Sequence, residues 1–117
     1  MQRYGIGDQE LKLAKLLWAN EGIGSGTVVT LCKDEFGWAK STTYTMLRRI
    51  CEHGLFQNKN SIVTAKLSEE QYLARTAKEF LSDKFEGSLT SFVSIYAKHN
   101  HLSTKDIKTL TELVSKK

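Results

Sequence analysis

Lys40-Ser41-Thr42-Thr43-Tyr44-Thr45-Met46-Leu47-Arg48-Arg49-Ile50-Cys51-Glu52-His53-Gly54 is the stretch on which the fold of this chain turns. Thr43, Met46, Leu47 and Ile50 recur at helical spacing, and Gly54 supplies a stop, so a helix is predicted over residues 40–53. With those four side chains inward, Lys40, Ser41, Tyr44, Thr45 and Arg48 emerge on the other side. That side offers cations, hydroxyls and a ring. The surrounding residues 36–67 carry Lys40, Arg48, Arg49, Lys59 and Lys66 against Glu52 alone. The whole chain of 117 residues has a formal net charge of +4, so its positive excess is concentrated here.

Upstream, Asp8 offers an N-cap to a helix at 9–20, with Leu11, Ala14, Leu17 and Trp18 on one stripe. Thr27 can cap a second helix at 28–36 through Val28, Leu31, Cys32 and Phe36, with Gly37 suited to a left-handed C-terminus. The alternating Gly22, Gly24 and Gly26 between them read as a flexible turn. They lack the Lys-Ser or Lys-Thr pair of a phosphate loop and follow a helix rather than a strand.

Downstream, Leu55-Phe56 and Ile62-Val63-Thr64 flank the polar run Gln57 to Ser61, the pattern of a β-hairpin. Ser68-Glu69-Glu70-Gln71 is a capping box that opens a helix with the stripe Leu73, Ala77, Phe80, Leu81 and Phe85. Ser88 and Ser103 then cap two more helices, one through Leu89, Phe92, Val93 and Tyr96, the other through Ile107, Leu110, Leu113 and Val114. The expected fold is mainly α with a small β-hairpin. Residues 1–67 form a winged helix-turn-helix and residues 68–117 a three-helix dimerisation region.

In that arrangement the third helix enters the major groove of duplex DNA and the hairpin, or wing, lies along the backbone. Arg48 can grip a guanine edge through two hydrogen bonds, while Ser41 and Thr45 meet base edges or phosphates. Thr42 and Arg49, at the flanks, are placed to hold phosphates, and from the wing Lys59 and Lys66 do so as well, with Asn58 and Asn60 able to donate to phosphate oxygens. So few cations make a single copy a weak binder. Two copies on half-sites one helical turn apart remedy this. Phe80, Phe85, Leu89, Phe92, Val93, Tyr96, Ile107, Leu110, Leu113 and Val114 present more apolar surface than three short helices bury among themselves, which points to a homodimer.

These residues resemble the penicillinase-repressor family, which includes the β-lactamase, methicillin-resistance and copper-responsive repressors. The likeness rests on Asp8-Gln9-Glu10-Leu11, Leu17-Trp18, Trp38-Ala39-Lys40-Ser41-Thr42, Thr45-Met46-Leu47, Arg49-Ile50 and Gly54-Leu55. Downstream it extends to Ser68-Glu69-Glu70-Gln71-Tyr72, Gly87-Ser88-Leu89, Leu102-Ser103 and Ile107. The resemblance implies a homodimeric transcriptional repressor on a palindromic operator, controlling a resistance or homeostasis gene, with Thr42 and Thr45 at the family's threonine positions. It also implies a membrane sensor-protease pathway. At the Asn-Phe bond cleaved in β-lactam-responsive members, however, this chain has Ile95-Tyr96. No cysteine follows Cys51, which removes the Cys-X-Cys copper motif, and the wing lacks the usual Gly-Arg.

Other classes fit less well. No apolar run approaches the roughly 20 residues of a membrane span, and the first ten residues do not form a signal peptide, so a cytoplasmic protein is expected. Cys32 and Cys51 read as packing residues. His99 and His101 alone do not make a metal site, no cofactor is implied, and no nucleophile, carboxylate pair or phosphate loop at telling spacing suggests an enzyme. The alternative is a winged-helix protein-interaction adaptor without DNA binding.

Overall fold

The computed structural model describes residues 4–116. Its elements in chain order are α1 (Asp8–Ala19), β1 (Ile23–Gly24), α2 (Ser25–Phe36), α3 (Lys40–Glu52), β2 (Phe56–Lys59), β3 (Ile62–Ala65), α4 (Glu69–Phe85), α5 (Leu89–His99) and α6 (Thr104–Ser115). The chain divides into two compact units, Met1–Glu79 and Phe80–Lys117, with the division falling inside α4.

In the first unit, Leu13, Ala14 and Leu17 of α1, Val28 and Cys32 of α2, and Leu47 and Ile50 of α3 converge with Leu55, Phe56 and Val63. Three helices and a small sheet thus share one apolar core, the arrangement of a winged helix. Asp8 lies inside α1 rather than capping it. Gly7 is the cap residue, and the Glu10 carboxylate reaches back to accept from its N–H at 3.4 Å.

Helix α2 begins at Ser25, earlier than Thr27 suggested, and the glycine-rich stretch before it is more than a turn. Ile23 and Gly24 form a strand antiparallel to β3, with Ile23 opposite Val63 and Gly24 opposite Ile62. The Ser25 N–H then donates to the Ser61 carbonyl at 2.8 Å. These pairings satisfy backbone groups just where the helix starts, so no side-chain cap is required. Gly37 closes α2 in the left-handed conformation, as its position predicts, with φ of 70°.

The sheet order is β1-β3-β2. In the wing, Lys59 pairs with Ile62, which leaves Asn60 and Ser61 as a two-residue loop, both at positive φ. Two left-handed residues give a turn whose twist matches the strands it joins. The Ser68–Gln71 capping box forms reciprocally: the Gln71 N–H donates to Ser68 Oγ at 3.1 Å and the Ser68 N–H to Gln71 Oε1 at 2.8 Å. The first turns of α4 differ from the expected stripe, because Tyr72 is the buried residue while Leu73 and Ala77 are exposed. The Tyr72 hydroxyl accepts from the Ile6 N–H at 3.0 Å, and its ring packs 5.6 Å from that of Trp18.

In the second unit, Ser88 and Ser103 cap α5 and α6 by accepting from the N–H groups of Ser91 at 3.1 Å and Asp106 at 3.0 Å. Phe92 is the hub of its aromatic packing, with ring centroids 5.3 Å from Phe85 and 6.1 Å from both Phe80 and Tyr96. Neither α5 nor α6 has a buried residue.

Candidate nucleic-acid interface

Helix α3 is fixed by its inner face. Thr43, Leu47 and Ile50 are buried, Met46 is half-buried against the core, and the Thr43 hydroxyl donates to the Ala39 carbonyl at 3.3 Å. A helix so anchored cannot rotate without exposing apolar surface, so its outer face is defined as well. Lys40, Ser41, Tyr44, Arg48 and Arg49 are exposed there, while Thr42 and Thr45 are half-buried. Lys59 is exposed near the wing tip.

The cations differ in their surroundings. Arg49 Nη1 lies 3.9 Å from Glu10 Oε1, and His53 Nε2 lies 3.7 Å from Glu10 Oε2. Glu10 is largely covered, with 14% of its side chain exposed, and its carboxylate counters part of the charge of Arg49. Arg48 instead lines a cleft of about 280 Å³ between α3 and β2, together with Tyr44, Leu47, Cys51 and Asn58.

Tyr44, Arg48 and Cys51 succeed one another at four- and three-residue spacing, so their shared face is readable from the helical period. The participation of Asn58 depends on the register of the wing and is not. Burial pushes the Cys51 thiol up, with the neighbouring Glu52 adding to the rise and Lys66 opposing it. The thiol of Cys32 is likewise raised by burial, opposed by a hydrogen bond with Thr43. Both cysteines are unpaired. Among the described residues, no group of three or more His, Cys, Asp and Glu is placed to hold a metal ion.

The proposed dimer residues fall into two groups. Phe80, Phe85, Phe92 and Val93 are half-buried, three of them in the aromatic cluster, whereas Leu89, Tyr96, Ile107, Leu110, Leu113 and Val114 are exposed. Ile95 and Leu73 are also exposed, outside the set that the sequence pattern assigns to an interface. Among the described residues, no helix is long and apolar enough to cross a membrane.

Core, wing and outward helix face define a winged helix-turn-helix protein. The penicillinase repressor family model matches residues 6–116, and the chain belongs to that family of transcriptional repressors. It is similar to the penicillinase repressor of Bacillus licheniformis, at 25% identity over 93% of this chain and 88% of the relative. It is also similar to the methicillin resistance regulatory protein MecI of Staphylococcus aureus (strain N315), at 21% identity over 97% of this chain and 96% of the relative. The penicillinase repressor of Staphylococcus aureus is 22% identical over 91% and 87% of the two chains.

Proposed function

We propose that this chain is a homodimeric, sequence-specific repressor that binds a palindromic DNA operator and blocks transcription of a resistance or homeostasis gene. The observation that carries this reading is the outer face of α3, where Lys40, Ser41, Tyr44 and Arg48 stand exposed on a helix whose opposite side is locked into the core. Residues 1–67 act as the DNA-binding part and residues 68–117 as the dimerisation part.

Lys40, Ser41, Thr42, Tyr44, Thr45 and Arg48 face the duplex from α3, with Arg49 at its flank and Lys59 on the wing. Ser41 and Thr45 have hydroxyls suited to base edges, and the cations to phosphates. The exposed apolar side chains of α5 and α6 support a second copy as partner, since a lone chain leaves them in water.

Selection of bound sequences from a random duplex pool is the test. Enrichment of an inverted repeat with half-sites one helical turn apart supports the reading, and recovery of unrelated sequences contradicts it.

A further inference from the structure

We propose that the cleft between α3 and the wing is a subsite for one sugar-phosphate unit of the DNA backbone, with Arg48 and Asn58 holding the phosphate and Leu47 and Cys51 flooring the sugar. The proposal rests on the DNA-binding reading above and gives Arg48 a different task from the guanine contact expected from the sequence.

The five lining residues divide by chemistry. Leu47 is buried and Cys51 is half-buried, which gives an apolar floor. Arg48 and Asn58 are exposed, one on the helix and the other on the wing, and supply N–H donors from two elements. Tyr44 adds a half-exposed ring and a hydroxyl. Lys66 is near enough to act on the Cys51 thiol, and Glu52 acts on it in the opposite sense. An apolar floor with donors on both lips suits a deoxyribose with its phosphate better than a base edge, which presents a flat hydrogen-bonding surface. A planar guanidinium holds a phosphate through paired hydrogen bonds. With both lips occupied by one phosphate, the helix and wing are fixed on the same strand.

Cys51 then lies beneath bound DNA and reports on it, while Cys32, fully buried, reports only unfolding. The experiment uses the full chain and a fluorescent duplex of random sequence at low salt, because backbone contacts do not depend on sequence. Binding is read by anisotropy. Alkylation of each cysteine by N-ethylmaleimide is read by peptide mass spectrometry, with and without saturating duplex.

The expected results are that saturating duplex lowers Cys51 alkylation well below its rate in the free protein, and that protein alkylated beforehand at Cys51 binds poorly. Asn58→Ala should weaken binding about three- to tenfold, the effect of losing one ordinary hydrogen bond at an exposed site. Arg48→Ala should weaken binding to several unrelated duplexes alike and reduce the slope of log affinity against log salt by about 0.9.

Duplex that binds while Cys51 reacts at its free rate overturns the cleft assignment and leaves DNA binding standing. So does an Arg48→Ala loss confined to one sequence, which returns Arg48 to base reading. Absence of duplex binding by the unmodified chain overturns the DNA reading and the subsite with it.

Discussion

The indole N–H of Trp18 donates to the Leu67 carbonyl at 2.9 Å, tying α1 to the chain just after the wing. The same ring packs 5.4 Å from that of Phe56 at the start of β2. Trp18 therefore holds both ends of the hairpin against the core. Trp18→Phe removes the donor and leaves the Leu67 carbonyl short of a partner, so a loss of about 1–3 kcal/mol is expected. Urea unfolding followed by circular dichroism measures it, and a midpoint equal to wild type contradicts this role.

Tyr72 and Gly5 make a second tight contact. Gly5 has φ of +80°, and a Cβ built there would collide with the Tyr72 hydroxyl. Gly5→Ala therefore combines backbone strain with overpacking and should cost about 1–3 kcal/mol. Nearby, Thr76 Oγ1 is buried without a hydrogen-bond partner among the described residues. Thr76→Val removes that polar atom at nearly constant volume and should be neutral or stabilising by up to about 1 kcal/mol. Thermal melts of the two variants should move in opposite directions or, for Thr76→Val, not at all.

Cys32 has a thiol raised above its ordinary value of 9.0, mainly by burial. Below that value the thiol is protonated in folded and unfolded chains alike, and its contribution to stability is intact. As the pH rises past it, the unfolded chain ionises first, and stability falls until the folded thiol ionises as well. The drop in urea midpoint between neutral pH and about pH 10 should be smaller in Cys32→Val than in wild type. Equal drops would show that this thiol is not the coupled group.

The second unit yields a prediction about assembly. Leu110 and Leu113 are 44% and 58% exposed, on a helix with no buried residue. If a second copy covers them, Leu110→Glu should place a carboxylate in that contact and shift sedimentation to the monomer, with the helical signal of Met1–Glu79 retained. Wild type that sediments as a monomer at micromolar concentration refutes the dimer.

The legible parts of the molecule were those in which one local rule acts alone. The stripe of α3, the Gly37 stop and the caps at Ser68, Ser88 and Ser103 all follow from helical periodicity or end chemistry. Features that depend on distant pairing were hidden. Ile23-Gly24 becomes a strand only because β3 passes beside it, and Ser25 starts α2 only because Ser61 accepts its N–H. Tyr72 displaces Leu73 as the buried residue because Ile6 offers its hydroxyl a donor. The interface shows the same division. Helical spacing places Arg48 on the outer face, but its companionship with Asn58 needs the wing in register, and the hold of Glu10 on Arg49 and His53 needs α1 packed on α3.

Whether the outer face of α3 meets DNA is decided by the anisotropy of a fluorescent duplex titrated with the full chain over a series of salt concentrations. Lys40, Arg48, Arg49 and Lys59 neutralising one phosphate each predict saturable binding that weakens with a log–log slope of about −3.6 for each bound copy, made shallower by about 0.9 in Lys40→Ala. A flat salt response, or no binding at low salt, would contradict the assignment of the outer face of α3 to DNA.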